Sequence, residues 1–399
     1  MKTRAAIGFM LGSVCVAACS SAPEAPSAQG AAQLEKAPPV FVDGKGQRWT
    51  RGRAAPISNQ GKAPPAKRPE GGKGPENFSR DELVAKLRPV AMYEGYEYTL
   101  ESSDIVHAMA DAALRMKGQV VDYPANTGSA PTRQVDETKR GTHVIGSDDR
   151  YLIRGNTDYP YRTQVFLWGT AYDNSCSGTM IGASTMVTAA HCLSDGYNWF
   201  STRMWSPGAD GQDWPQFAYD PWGTYPSSNP NQLMVSGCYW NSIPQGWWDS
   251  GGSNVDYDFA TIEFSYTCGG LYPGNTVGWL GWGSQYDSWI DDNYNFSYGY
   301  PGGDADDCGG ATGCAGGPCY WPSIWGHGNV TASSYSTTVH YDLDMQPGQS
   351  GSGIYNYVQG FPKVIAIHHG CLDNFFWTTN YGRRITSSTI SFIQATTAL

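Results

Sequence analysis

From about residue 144 to the last dozen residues the sequence carries no helical periodicity. Runs such as "TQVFLWG" (163–169) and "KVIAIHH" (363–369) are short, β-branched and aromatic, with Gly, Pro, Asn and Asp between them. That punctuation describes strands of a few residues joined by turns. Only the tail "SSTISFIQATTAL" (387–399) recovers a helical spacing, through Ile390 and Ile393. The body is therefore expected to be all-β, as two packed barrels or a large sandwich closed by a C-terminal helix.

Three stretches of that body belong together by chemistry. "CSGTMIGASTMVTAAHC" (176–192) ends an apolar strand on His191, beside Cys192. "DYDFATIEF" (256–264) sets Asp258 directly before an alternating strand, with Asp256 as a competing carboxylate. "GQSGSG" (348–353) holds two serines in a glycine frame. A serine hydroxyl is a poor nucleophile near neutral pH, and a neutral imidazole is the base suited to it. A buried carboxylate then holds the imidazole in one tautomer and stabilises the imidazolium. Gly348 lets the chain turn so that its N–H and that of Ser350 face a developing oxyanion, each donor worth about 3–4 kcal/mol in the transition state. A Cys176–Cys192 disulfide would pin the strand that presents His191, worth roughly 3 kcal/mol by chain entropy. Singly these signals are ordinary: a turn, a packed histidine, a cap. In the order His, Asp, Ser they point to nucleophilic catalysis.

Here the sequence resembles the glutamyl endopeptidases of V8 and Bacillus type, a bacterial branch of the chymotrypsin fold. The resemblance runs from about Val144 to the C-terminus, through "VIGSDDR" (144–150), "YPYR" (159–162), "GNTVGW" (274–279), "GYPGGD" (299–304) and "GRRIT" (382–386). It implies a double β-barrel with His191, Asp258 and Ser350 as the triad, Ser352 as a turn residue, and maturation near His143/Val144. It also implies a preference for Glu, or Asp, at P1, placed on His368 with help from a hydroxyl and the α-amino group of Val144. Two departures bear on that preference. Met345 stands where the family usually has Ser or Thr, and Asp344 stands where trypsin-like enzymes bind Arg or Lys. Asp344 therefore supports an alternative, a trypsin-like or broad specificity. Gln349 replaces the aspartate that pairs the new N-terminus in trypsin-type zymogens, so activation needs a different contact.

The N-terminus reads as export machinery. Lys2 and Arg4 precede a short apolar run, and "VAAC" (16–19) resembles a lipoprotein processing box with Cys19 as the lipidated residue. Residues 1–19 are thus expected to be a signal, 20–78 a disordered Pro/Ala/Gly-rich arm, 79–143 a helical pro-region and 144–399 the protease domain. "SRDE" (79–82) is a capping box, and Ile105, Met109 and Ala112 share a helical face. Residues 1–143 carry 19 Lys+Arg against 15 Asp+Glu, and 144–399 carry 7 against 21. A basic leader on an acidic body suggests an intramolecular partner, the pro-segment. The negative body excludes nucleic acid as its partner, and a membrane is reached only through the lipid anchor.

Eight cysteines lie between 176 and 371 in what reads as an exported chain, so disulfides are expected rather than zinc. The group Cys308, Cys314 and Cys319 lacks a CxxC or histidine pair. No cofactor is called for; "DADDC" (304–308) offers oxygen ligands for Ca2+ as the alternative to a solvated loop. The expected partners are protein or peptide substrates. The rival class is a catalytically silent module whose 15 Trp and 25 Tyr would suit carbohydrate binding.

Overall fold

The computed structural model describes residues 38–43, 45–58, 75–93, 95–128, 150–153, 158–169, 175–200, 202–208, 239–264, 272–301, 324–346, 348–374 and 377–397. Cys19, Val144, the Ca2+ candidate at 304–308, Cys238, Cys268, Cys314, Cys319 and the side chain of Cys371 lie outside that description.

The leader contributes strands β1 (Val40–Val42), β2 (Arg48–Ala54), β3 (Ile57–Ser58), β4 (Pro89–Tyr93), β5 (Tyr96–Leu100) and β6 (Val121–Tyr123), with helices α1 (Arg80–Leu87) and α2 (Ser103–Met116) between them. The first part of the body adds β7 (Tyr151–Leu152), β8 (Gln164–Gly169), β9 (Ser175–Met180), β10 (Thr185–Thr188), β11 (Trp199–Phe200), β12 (Thr202–Pro207), β13 (Tyr239–Pro244) and β14 (Ala260–Phe264). The second part adds β15 (Gly281–Ser284), β16 (Asn295–Gly299), β17 (Trp325–Val330), β18 (Ala332–Ser334), β19 (Thr338–Tyr341), β20 (Gly353–Val358), β21 (Phe361–Asn374) and β22 (Trp377–Arg384). Helix α3 (Ser387–Thr396) ends the chain.

Twenty of these strands make two 10-stranded half-barrel sheets, and β3 and β11 pair separately. The first runs β1-β2-β5-β4-β13-β14-β10-β9-β8-β12. The second runs β18-β19-β22-β21-β20-β16-β17-β7, with β15 on β21 and β6 on β15. The all-β body with a C-terminal helix is what the turn-punctuated sequence called for. Helix α3 closes the core with Ile390, Phe392 and Ile393, all fully buried, and Phe392 meets Phe259 edge-on at 5.2 Å.

The leader departs from its expected character. The arm at 20–78 was expected to lack structure, yet 38–43 and 45–58 form β1 to β3, and Pro75–Asn77 is a 3-10 turn. Their order comes from distant partners. Trp49, in a stretch otherwise rich in Arg and Gly, is fully buried against Trp240 with ring centroids 4.8 Å apart. Burying that indole contributes roughly 4–6 kcal/mol before entropy is counted, which local composition cannot report. Nor is 79–128 purely helical, because "PVAMY" and "YEYTL" pair as β4 and β5. The capping box is present: Ser79 N donates to Glu82 Oε2 (2.7 Å) and Glu82 N to Ser79 Oγ (3.3 Å). The buried face of α2 is Val106, Met109, Ala110 and Ala113, turned slightly from the expected Ile105–Met109–Ala112 stripe. Charge helps seat the leader, most firmly where Asp122 Oδ1 lies 2.5 Å from Nζ of the buried Lys363. The leader's Lys86–Asp249 bridge (2.7 Å) is exposed on both sides and is worth at most about 1 kcal/mol.

Candidate active site

His191 sits in the 3-10 turn Ala190–Cys192, just past β10, where Ala189 and Ala190 are small enough to be fully buried. The Cys176–Cys192 disulfide, with Cα atoms 5.9 Å apart, ties this turn to the start of β9. Asp258 follows the 3-10 turn Val255–Tyr257 and is fully buried. Its Oδ1 accepts from the backbone N of His191 (2.8 Å), and its Oδ2 lies 2.7 Å from His191 Nδ1. Burial opposes the charge on Asp258, but the imidazoles of His191 and His369 overcome it and hold the carboxyl well below the usual carboxylate range. Asp256 makes no hydrogen bond to either imidazole; its carbonyl accepts from Arg383 Nε at 2.8 Å.

Arg383 explains "GRRIT". Fully buried, it spans Asp256 O, Thr337 O and Arg384 O at 2.8 Å each, so the loop presenting Asp258 is fastened to β22.

The two serines separate cleanly. Ser352 is fully buried and its Oγ donates to Gln349 O (2.7 Å), which makes it part of the turn. Ser350 is only partly buried, and its Oγ donates to His369 O at 3.3 Å rather than to His191. Its carbonyl is held by Ser177 N (2.7 Å), and Ser177 Oγ donates to Gly348 O (2.9 Å). The β9 strand thus grips the serine turn from the other sheet. The N–H groups of Gly348 and Ser350 have no acceptor among the described residues, as an oxyanion site requires. Gly351 must be glycine: at φ +88° a Cβ would lie 2.1 Å from Thr188 Oγ1 and 2.2 Å from Ser177 O.

Four further residues carry weight that sequence reasoning did not assign. His369 Nδ1 also meets Asp258 Oδ2, and its ring stands edge-on to His191 with centroids 5.1 Å apart. Strand alternation across "IHHG", which sends adjacent side chains to opposite faces, was the available signal. Tyr341 OH lies 2.7 Å from His368 Nδ1. Burial raises the Tyr341 phenol well above its usual pKa, so it stays protonated beside that nitrogen. Arg150 Nη1 donates to the fully buried Gln349 Oε1 (3.1 Å), which also accepts from Gln346 N (2.9 Å). That contact occupies the position before Ser350 where an aspartate was missing. His327 accepts the backbone N–H of Asp344 on Nδ1 at 2.7 Å. Its Nδ1 therefore bears no proton, and the 3.6 Å approach of Asp344 Oδ2 to that atom is not an ion pair. Met345 is buried in the cluster with Leu343 and Ile354.

His368 is almost fully buried, and its pKa is lowered to about 3 by that burial, with His369 and His191 adding to the effect. Between pH 6.5 and 3 the unfolded chain binds a proton here that the folded chain does not. Stability is therefore full above pH 6.5 and falls with acid, with a slope approaching about 1.4 kcal/mol per pH unit. Asp258 acts in the same sense below about pH 4, where the unfolded carboxyl takes up a proton and the folded one stays ionised. Thermal unfolding from pH 7 to 4 should show a smaller loss of Tm in His368→Gln than in the parent.

With His191 and Asp258 beside strands of one half-barrel sheet and Ser350 beside a strand of the other, the chain has a chymotrypsin-like build. No family model matches the sequence. It is 33% identical over 214 residues to the glutamyl endopeptidase of Bacillus licheniformis, covering 53% of this chain and 54% of that protein. It is 29% identical over 267 residues to the extracellular metalloprotease of Bacillus subtilis, covering 65% of this chain and 71% of that one. A solved Glu endopeptidase in complex with MPD aligns at 21% identity and a TM-score of 0.43, over 63% of this chain and 98% of that chain. The chain spans about half the length of the Bacillus licheniformis glutamyl endopeptidase.

Proposed function

We propose that the chain is an exported endopeptidase, made as a proenzyme, that cleaves after Glu or Asp through an acyl-enzyme on Ser350. The observation that carries the chemistry is the buried Asp258 on His191 Nδ1, which leaves Nε2 as the base. Ser350 Oγ turns from the His369 carbonyl to His191, attacks the peptide carbonyl carbon and gives its proton to Nε2. The oxyanion is met by the N–H groups of Gly348 and Ser350. His191 then protonates the leaving amine, and water repeats the sequence to free the acid and restore Ser350. No cofactor enters these steps.

For the preference at P1 we take the Tyr341 hydroxyl as the donor to His368 Nδ1, so that the neutral His368 carries its proton on Nε2 and offers it to a carboxylate without needing a charge. Asp344, whose backbone is engaged by His327, is the weaker claimant. Residues 1–19, the disulfide, and the extracellular name of one relative support export, with lipidation at Cys19 as its form. Profiling P1 with a peptide library tests the specificity. Dominant cleavage after Glu is expected; dominant cleavage after Arg or Lys would overturn it in favour of Asp344.

One observation favours a second reading. His191, Asp258 and His369 offer ligand atoms within 4.8 Å of one another, a donor set for a transition metal, and one relative is called a metalloprotease. Peptidase activity that survives EDTA and is lost to a fluorophosphonate supports the serine mechanism; the reverse pattern supports the metal.

A further inference from the structure

We propose that the leader is not shed on activation: residues 38–128 remain seated in the active enzyme as a second, non-covalently held chain. This rests on the proenzyme reading above, in which the bond before Val144 is cut.

Three separate attachments carry the proposal. In the first sheet β4 pairs with β13 from Pro89↔Pro244 to Met92↔Asn241, so the leader's four strands β1, β2, β5 and β4 continue the body's sheet directly. In the second sheet β6 pairs with β15, and Tyr123 stacks on Trp282 with centroids 4.0 Å apart and planes 6° from parallel. Between them, β3 pairs with β11 at Trp199↔Ile57.

The helices add an apolar seal. Helix α2 packs on α3, and Trp49, Leu83, Tyr98 and Met109 share one buried cluster with Trp240, Phe259, Phe392 and Ile393 of the body. Glu76 accepts from Ser388 Oγ (2.8 Å) and Ser387 Oγ (3.2 Å), holding the start of α3. Body groups also depend on the leader for hydrogen bonding: the buried Arg162 donates to Thr127 O, and Trp279 N donates to Asn126 O at 2.7 Å. Release would bare the β13 edge and an aromatic surface at once, and leave those donors without acceptors. A cut between 129 and 149 severs none of these contacts, since every leader residue that makes them lies at or before 128.

The test uses the processed, active protein from the producing cells, compared by denaturing gel, size exclusion and native mass. Two polypeptides that separate in denaturant but co-elute with activity are the expected result. A single intact active chain would keep the leader in place while overturning the proenzyme reading. An active body that begins at Val144 and elutes without the leader would overturn the proposal and leave that reading standing. Trp49→Ala supplies a second readout: it should lower the Tm of the processed enzyme by several degrees, and an unchanged Tm means the leader has gone.

Discussion

Ser350→Ala is expected to lower kcat by about 10^5–10^6-fold and abolish labelling by a fluorophosphonate, whereas Ser352→Ala should remain active and labelled. The contrast follows from where the hydroxyls go. The Ser352 hydroxyl is buried, donates to Gln349 O at 2.7 Å and lies 3.2 Å from Ser297 Oγ, so its loss removes two neutral hydrogen bonds, about 1–2 kcal/mol in stability rather than in catalysis. The Ser350 hydroxyl is partly exposed and held only by a 3.3 Å bond to the His369 carbonyl, which it can leave to meet the imidazole. Active-site titration of both variants, alongside near-UV circular dichroism to show that they fold, checks the pair. Equal labelling of Ser350→Ala and the parent would return the chain to the silent-module class.

Asp258→Asn should cost about 10^4-fold in kcat, with little change in KM. The reason is sharper here than for a carboxylate serving one histidine. Oδ2 of Asp258 faces Nδ1 of both His191 and His369, and Oδ1 accepts the backbone N–H of His191. An ionised carboxylate accepts from all three donors, whereas an asparagine amide has one accepting oxygen and an NH2 group. Whichever way the amide turns, its NH2 faces a donor: the backbone N–H, or two imidazoles that must then give up their Nδ1 protons. If the His191 imidazole does so, it carries its proton on Nε2 and cannot take one from Ser350. Measured against pH, the defect should be largest near neutrality and should ease at high pH, where hydroxide replaces the imidazole as base. A kcat within tenfold of the parent would show that Asp258 is not the tautomer-setting group.

What sequence reading could reach here was set by how locally each signal is encoded. The order His191, Asp258, Ser350 and the disulfide at Cys176–Cys192 sit in compact motifs whose glycines and small residues have their own steric reasons. Gly351, wedged against Thr188 and Ser177, is one. The β2 strand could not be found that way, because "RWTRGRA" becomes a strand only when β5 lies beside it and Trp240 covers its one indole. The candidate specificity site was half readable. His368 was visible from its place in "VIAIHHG", but its neutral state depends on burial and on His369 and His191, and its hydrogen-bond partner Tyr341 stands in another strand. Arg150 shows the same limit: it replaces an expected charge pair with a hydrogen bond to Gln349, a partner that sequence proximity does not suggest.

The bond from Ser387 to Glu76 joins residues 311 apart in the chain. During synthesis the leader emerges first, yet the β13 edge and the α3 helix that complete its sheet and core are made much later. Until then β4 has an open edge and Trp49 lacks the Trp240 ring that covers it, so the early chain is sticky and its closure waits on the last segment translated. Such long-range topology folds slowly. A chain built this way assembles its serine turn, its aspartate loop and its leader almost together, near the end, and under the proposed function half-made chains have little opportunity to cut their neighbours.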